Sequence, residues 1–286
     1  MEYKIAHGTT YYYSGSISES YTVCYLQPRS DTSQLCTRYE LKVTPWAYVH
    51  TYGDRYGNDV QHFAILPEHR SLEVLTRSNV VTLLPPVPEP PVAASRAALR
   101  TDPQLGGYYD FLHESAYVKF GDRLAAFAAE CGEPGERIGS WAHEVSRAIN
   151  RSFAYDTAAT TVRTDVDAAL AARAGVCQDY AHVMIAVLRR AGIPARYASG
   201  YIFRGDSRIL GAEASHAWCE AYLPPYGWIG FDPTNDLIVN DHFVKIAIGR
   251  DYGDVSPVRG VYRGARGSEM SVNVAMDSLP SQQQQQ

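Results

Sequence analysis

The stretch AGVCQDYAHVMIAVLRRAGIPARYASGY, Ala174 to Tyr201, sets a cysteine directly after a Gly-Val turn and at the head of a long apolar run. A thiol is a useful nucleophile only as thiolate, and the unpaired N–H groups and positive dipole end of a helix N-terminus favour that form. Cys177 is thus a candidate nucleophile. It then needs a base that titrates near neutral pH and can be brought within hydrogen-bond reach from elsewhere in the fold. ASHAWCEAYL offers His216, and GWIGFDPTN offers Asp232 to orient the imidazole. The chemistry these three residue types could do together is nucleophilic catalysis by a thiolate.

Each of the three needs an element to hold it. Cys177, Tyr180, Ala181, Met184, Ile185 and Leu188 follow the i, i+3, i+4, i+7, i+8, i+11 rule, which predicts a helix with the thiol on its buried stripe. Gly192 and Pro194 close that helix. Arg196 to Phe203, Ser215 to Leu223 and Trp228 to Phe231 read as strands. On the second, His216, Trp218, Glu220 and Tyr222 share one face, while Ala217, Cys219 and Ala221 share the other. The PPYG turn lets the second and third pair as a hairpin, bringing the carboxylate beside the ring.

Upstream, residues 1–84 alternate as strands do: Tyr21, Val23 and Tyr25 against Thr22 and Cys24, then Tyr39, Leu41 and Val43 against Glu40, Lys42 and Thr44. This predicts an N-terminal antiparallel β-sandwich-like domain. PPVPEPPVAAS, residues 85–95, is the expected linker, because proline cannot donate to a sheet. Residues 96–250 form the expected α+β core. It starts with a helical lobe on the stripe Ile138, Trp141, Ala142, Val145, Ile149. FAYDTAATTVRT reads as an extended loop, and Asp165 to Arg173 as a short capped helix. Residues 251–280 are an extension whose Val272, Val274 and Met276 alternate as one last strand; the Gln tail 281–286 reads as disordered.

Composition narrows the partners. The 286 residues carry 26 Lys+Arg against 31 Asp+Glu, without a long run of one sign, so the electrostatic footprint of a nucleic-acid binder is missing. No stretch is long and apolar enough for a membrane span, and MEYKIAHGTTYYYSG does not read as a secretory signal, which makes the cytoplasm the expected address. Five scattered cysteines without a C-x-x-C pair argue against a disulfide framework or a structural zinc site. Cys219 faces away from His216 and reads as packing, and His182 lies one helical step off the Cys177 stripe and reads as structural. His113-Glu114 and His143-Glu144 begin like H-E-x-x-H, but neither has the second histidine. Arg259, Arg263 and Arg266 in a Gly-rich loop read as solvated.

GVCQDYAHVMIAVLRRAGIPARYASGY, ASHAWCEAYLPPYGWIGFDPTN and GRDYGDVSPVRGVYRG resemble the core of bacterial transglutaminase-like proteins, a family often described as cysteine proteases. YLQPRSD and DRYGNDVQHF resemble the β domain that precedes that core. The resemblance touches nearly the whole chain except its tail. It implies a papain-like core with Cys177 as nucleophile, His216 as base and Asp232 as orienting acid. It also implies acyl transfer on a peptide or protein amide through a thioester. Water then gives hydrolysis, the preferred outcome; a second amine gives transamidation. For the oxyanion, the backbone N–H of Cys177 is the first donor and Tyr155 in FAYD the candidate for the second, where animal relatives use an indole. No metal or organic cofactor is called for. Two other readings compete: a catalytically silent module that holds a peptide in the same cleft, and a protein that docks a partner through its N-terminal β domain.

Overall fold

The computed structural model describes residues 1–84, 91, 93–205, 209–211 and 214–279. Most of the Pro-rich stretch, residues 85–90 and 92, lies outside the described residues, as does the Gln tail.

The chain opens with five strands, β1 (Glu2–Cys24), β2 (Gln34–Thr44), β3 (His50–Gly53), β4 (Asp59–Ile65) and β5 (His69–Thr82). Two more, β13 (Val258–Gly264) and β14 (Ser268–Leu279), return to the same sheet from the far end of the chain. β1 is its spine. Along one edge β5 pairs from Glu2 to Ile17 and β4 from Ser20 to Cys24; along the other, β14 pairs from Glu2 to Tyr13 and β13 from Ile17 to Cys24. All of these pairings are antiparallel, and the registers shift between Tyr12 and Tyr21, where the partners change. Bulges of this kind increase twist and bend. Val43, Leu72 and Val74 from the β2–β5 half accordingly share a buried cluster with Cys24, Phe63 and Ile65 from the β1–β4 half. One curled sheet thus makes a sandwich-like domain. The tail contributes two strands to it where the alternation of Val272, Val274 and Met276 predicts one.

The second part of the chain is mixed. Its sheet has the order β11 (Leu237–Ile238), β10 (Trp228–Asp232), β9 (His216–Tyr222), β8 (Ala195–Ile202), β12 (Phe243–Gly249), antiparallel throughout. The helices are α1 (Arg96–Thr101), a 3-10 turn at Leu105–Phe111, α2 (Asp122–Glu130), α3 (Ile138–Ser152), α4 (Val166–Ala172), α5 (Cys177–Arg190) and α6 (Tyr252–Val255). A short parallel pair, β6 (Ala154–Tyr155) and β7 (Ala174–Gly175), runs into the start of α5.

α5 differs from a helix with one apolar stripe: every residue from Cys177 to Arg189 is buried. Its polar side chains must then be satisfied inside the protein. Gln178 donates to the Val162 carbonyl, His182 Nε2 accepts the Tyr252 N–H, and Arg189 donates to the carbonyls of Ala195, His113 and Arg250. Ala217, Cys219 and Ala221 pack in the same cluster as Met184, Ile185 and Leu188 of α5. Trp218, on the other face of β9, packs with Ala198, Ile202, Phe243 and Ile248.

The outer edge of β12 is closed by side chains rather than by a strand. Gln34 donates to the Lys245 carbonyl and accepts from its N–H, both at 2.7 Å. Asn58 does the same at Ile248, at 2.8 and 2.9 Å. Two carboxamides from the curled sheet thus imitate the ladder partner that β12 lacks.

Candidate active site

α5 begins at Cys177 because the preceding turn is built for it. Gly175 has φ +157, and a Cβ there would stand 2.4 Å from Asp179 Oδ2, so the position needs glycine. Asp179 sits at the third helical position and reaches back to accept the Val176 N–H at 2.8 Å and the Thr160 hydroxyl at 2.7 Å. This is the carboxylate half of a capping box. It ties the 156–164 segment to the turn that carries the thiol. Burial raises the Asp179 pKa, with the Thr160 and Val176 hydrogen bonds opposing.

Cys177 is 9% exposed. β6 runs parallel to β7 with Tyr155 opposite Gly175, so the Tyr155 ring starts two residues from the thiol in register. Thr160, Asp179 and the β6–β7 pair have no signature in residue spacing. A two-residue strand is too short for alternation to register.

His216 opens β9, and Asp232 ends β10. Both side chains are fully buried, and His216 Nε2 lies 2.8 Å from Asp232 Oδ2. Asp232 Oδ1 accepts the Thr234 N–H at 3.0 Å, and Oδ2 also accepts Asn235 Nδ2 at 2.7 Å. A carboxylate so supplied with donors stays an acceptor toward the ring, which directs Nε2–H to Asp232 and leaves Nδ1 as the nitrogen free to exchange a proton. Nδ1 is buried and has no hydrogen-bond partner among the described residues. Burial disfavours the imidazolium. The Asp232 charge and hydrogen bond, then Cys177, outweigh it and raise the His216 pKa to about 10.

A segment described at 209–211 passes over this nitrogen. A Cβ on Gly211 would stand 2.7 Å from His216 Nδ1 and 3.7 Å from Tyr155 Oη, so the two groups face one point. Asn235 holds the segment there: its Oδ1 accepts the Leu210 N–H at 2.9 Å and its Nδ2 donates to the Leu210 carbonyl at 3.2 Å. Sequence reasoning leaves Asn235 without a role. The signal available was the polar run after Asp232 in DPTN, since an Asp that starts a turn commonly bonds the backbone two residues on.

The other candidates fall elsewhere. Cys219 is buried against α5. His182 is 1% exposed and stacks on Tyr117, and burial lowers its pKa to about 4, with Asp251 opposing. Arg259 donates to the Gly253 carbonyl and Arg263 pairs with Glu19 on the surface. Among the described residues, no helix is long and apolar enough to cross a membrane.

Comparison with known proteins supports this architecture. The profile of the transglutaminase-like superfamily core matches residues 125–233, and that of the bacterial transglutaminase-like N-terminal region matches residues 3–81. Rv2569c of Mycobacterium tuberculosis is 33% identical over 95% of this chain and 91% of its own. A crystal structure from Cytophaga hutchinsonii, described as a candidate cysteine protease, superposes with a TM-score of 0.78 at 25% identity, covering 98% of this chain and 91% of that one. A protein-glutamine gamma-glutamyltransferase of Pseudomonas aeruginosa is 42% identical over 67 residues, 22% of this chain and 10% of its own. With both regions matched in order and a relative aligned along almost its full length, this chain belongs to the transglutaminase-like superfamily and carries the bacterial N-terminal region ahead of its core.

Proposed function

We propose that Cys177, His216 and Asp232 catalyse acyl transfer on a peptide or protein amide, with water as the preferred acceptor. The observation that carries this reading is the buried His216–Asp232 pair, whose second ring nitrogen has no hydrogen-bond partner among the described residues. In the first half-reaction the Cys177 thiolate attacks the carbonyl carbon, and the imidazolium gives its proton to the leaving amine as the C–N bond breaks. A thioester remains. In the second, neutral His216 takes a proton from water as its oxygen attacks, and the C–S bond breaks to return the thiolate and release a carboxylic acid. The Cys177 N–H and the Tyr155 hydroxyl are the donors we assign to the oxyanion; Tyr155 faces the same point as the reactive nitrogen.

An amine in place of water would turn the same thioester into a transamidation product, and the local similarity to a protein-glutamine gamma-glutamyltransferase keeps that acceptor in view. Five unpaired cysteines support a reducing compartment, the cytoplasm, as the place of action.

The test is the pH dependence of iodoacetamide labelling, read by peptide mass, in wild type and in His216→Ala. Cys177 should label fastest of the five thiols at pH 6 and lose that lead without His216. Uniform labelling, or no effect of the substitution, rejects the triad and leaves the silent peptide-binding module. If the thiolate is found, a glutamine peptide incubated in ¹⁸O-water with a labelled amine separates the two acceptors by the mass of the product.

A further inference from the structure

A half-open cleft of about 540 Å³ lies where the curled sheet meets the Tyr222 end of β9. A smaller one of about 50 Å³ shares Ser33, Leu84, Trp228 and Lys245 with it as walls and has Trp218 and Glu220 on its inner side. Neither is lined by Cys177, His216 or Asp232. β9 is seven residues long, which sets its two ends about 20 Å apart. The space is therefore distinct from the triad, and its volume is that of a small-molecule pocket.

Its polar groups are unevenly satisfied. The carboxylates have partners. Glu220 accepts Arg196 Nε at 2.7 Å and Lys245 Nζ at 2.9 Å. Asp31 accepts the Ser33 N–H at 2.8 Å and hydroxyl at 2.6 Å and lies 3.2 Å from Lys245 Nζ. Asp102 accepts the Tyr222 hydroxyl at 2.9 Å. The donors are in surplus. Arg29 Nε and Trp218 Nε1 are buried without a hydrogen-bond acceptor, Arg29 Nε lying 3.9 Å from Asp31 Oδ2. Arg196 directs Nε and Nη2 to Glu220, which leaves Nη1 without a partner among the described residues. Burial and then the charge of Arg196 lower the Arg29 pKa, with Asp31, Glu220 and Asp54 opposing. Beside them Tyr108, Tyr222 and Trp228 form a ring-on-ring wall with centroids 4.6 to 5.5 Å apart, and the Arg196 guanidinium lies 4.0 Å over Trp228.

Arg29 Nε, buried with no hydrogen-bond acceptor, and the free Nη1 of Arg196 leave donor capacity for a further acceptor, and an aromatic wall calls for an apolar body. We propose that this interdomain cavity binds a small organic carboxylate, held by Arg196 and Arg29 and packed on the Tyr108–Tyr222–Trp228 wall. The proposal stands independently of the reaction at Cys177.

The probe is N-acetyl-L-phenylalanine, added to the full ¹⁵N-labelled chain up to about 10 mM, with N-acetyl-L-phenylalaninamide as the uncharged control. The four Trp indole N–H signals, assigned by Trp→Phe substitution, report the site. Those of Trp218 and Trp228 should shift saturably with the acid and not with the amide, while those of Trp46 and Trp141 stay still. Arg196→Gln should weaken the acid about tenfold, as loss of one charge-assisted hydrogen bond does. Should that variant fail to fold, Arg29→Gln takes its place, and the acid–amide pair on wild type needs no variant. Absence of a saturable shift would mean that water alone fills the cavity and overturns the proposal. So would equal shifts with the amide, or undiminished binding once the guanidinium is removed.

Discussion

Asp232 is supplied with donors by Thr234 and Asn235 before it meets His216, so its carboxylate is fixed in place as well as charged. Asp232→Asn keeps the shape but removes the charge that holds the His216 pKa up to about 10. Without it, burial is opposed by Cys177 alone, and the imidazole should titrate at lower pH than in the wild type. The expected outcome is a loss of about 10²- to 10⁴-fold in kcat on any accepted substrate, with KM changed far less. The ring's titration, followed by NMR of His216, should move to lower pH in the same variant. An unchanged titration would detach Asp232 from the role given to it. At this scale the residues of the proposed triad were legible as candidates, because a cysteine at a helix start and a histidine and an aspartate at adjoining strand ends are each marked by local pattern. Asn235, Asp179 and Thr160 were not, because their work is to hydrogen-bond groups that only the folded chain brings near.

Gly200 lies across from His216 in the β8–β9 register. A Cβ there would stand 2.1 Å from the Val244 carbonyl and 2.5 Å from the Trp218 ring, so this glycine makes room for the indole that packs behind the histidine. Gly200→Ala should therefore displace Trp218 or part β8 from β12, costing about 1–3 kcal/mol. A urea titration checks the figure, and a stable variant with normal Trp218 fluorescence would contradict it. β8, β9 and β10 could be read from alternation and from the tight PPYG turn. Which edge of β8 receives β12 could not, since alternation identifies a strand without naming its neighbour. The same limit hid the all-round burial of α5: apolar spacing shows one face of a helix, whereas Gln178, His182 and Arg189 are accommodated by backbone partners distant in sequence.

Glu220 joins the two parts of the molecule, since Lys245 bridges it to Asp31 in the β1–β2 connection. Burial would raise its pKa, but Lys245 and Arg196 outweigh burial and lower it from 4.5 to about 2. A depressed carboxylate contributes stability that is present above about pH 4.5 and is lost as pH falls through 2, on the order of 3 kcal/mol. Glu220→Gln should lower the urea midpoint at pH 7 and flatten its fall between pH 4.5 and pH 2. Parallel pH profiles for variant and wild type would remove Glu220 from this account. The two-part character of the chain showed in its change from alternation to helical spacing. The closure of the first sheet by β13 and β14 did not, because nothing local to residues 258–279 points to residues 2–24.

That closure has a consequence for how the protein is made. β1 is synthesised before the core, yet one of its edges is completed only by strands more than two hundred residues later. At about 5–20 residues per second, that edge waits roughly ten seconds or longer for its partner while the whole core emerges. The curled sheet is thus begun before the core and finished after it.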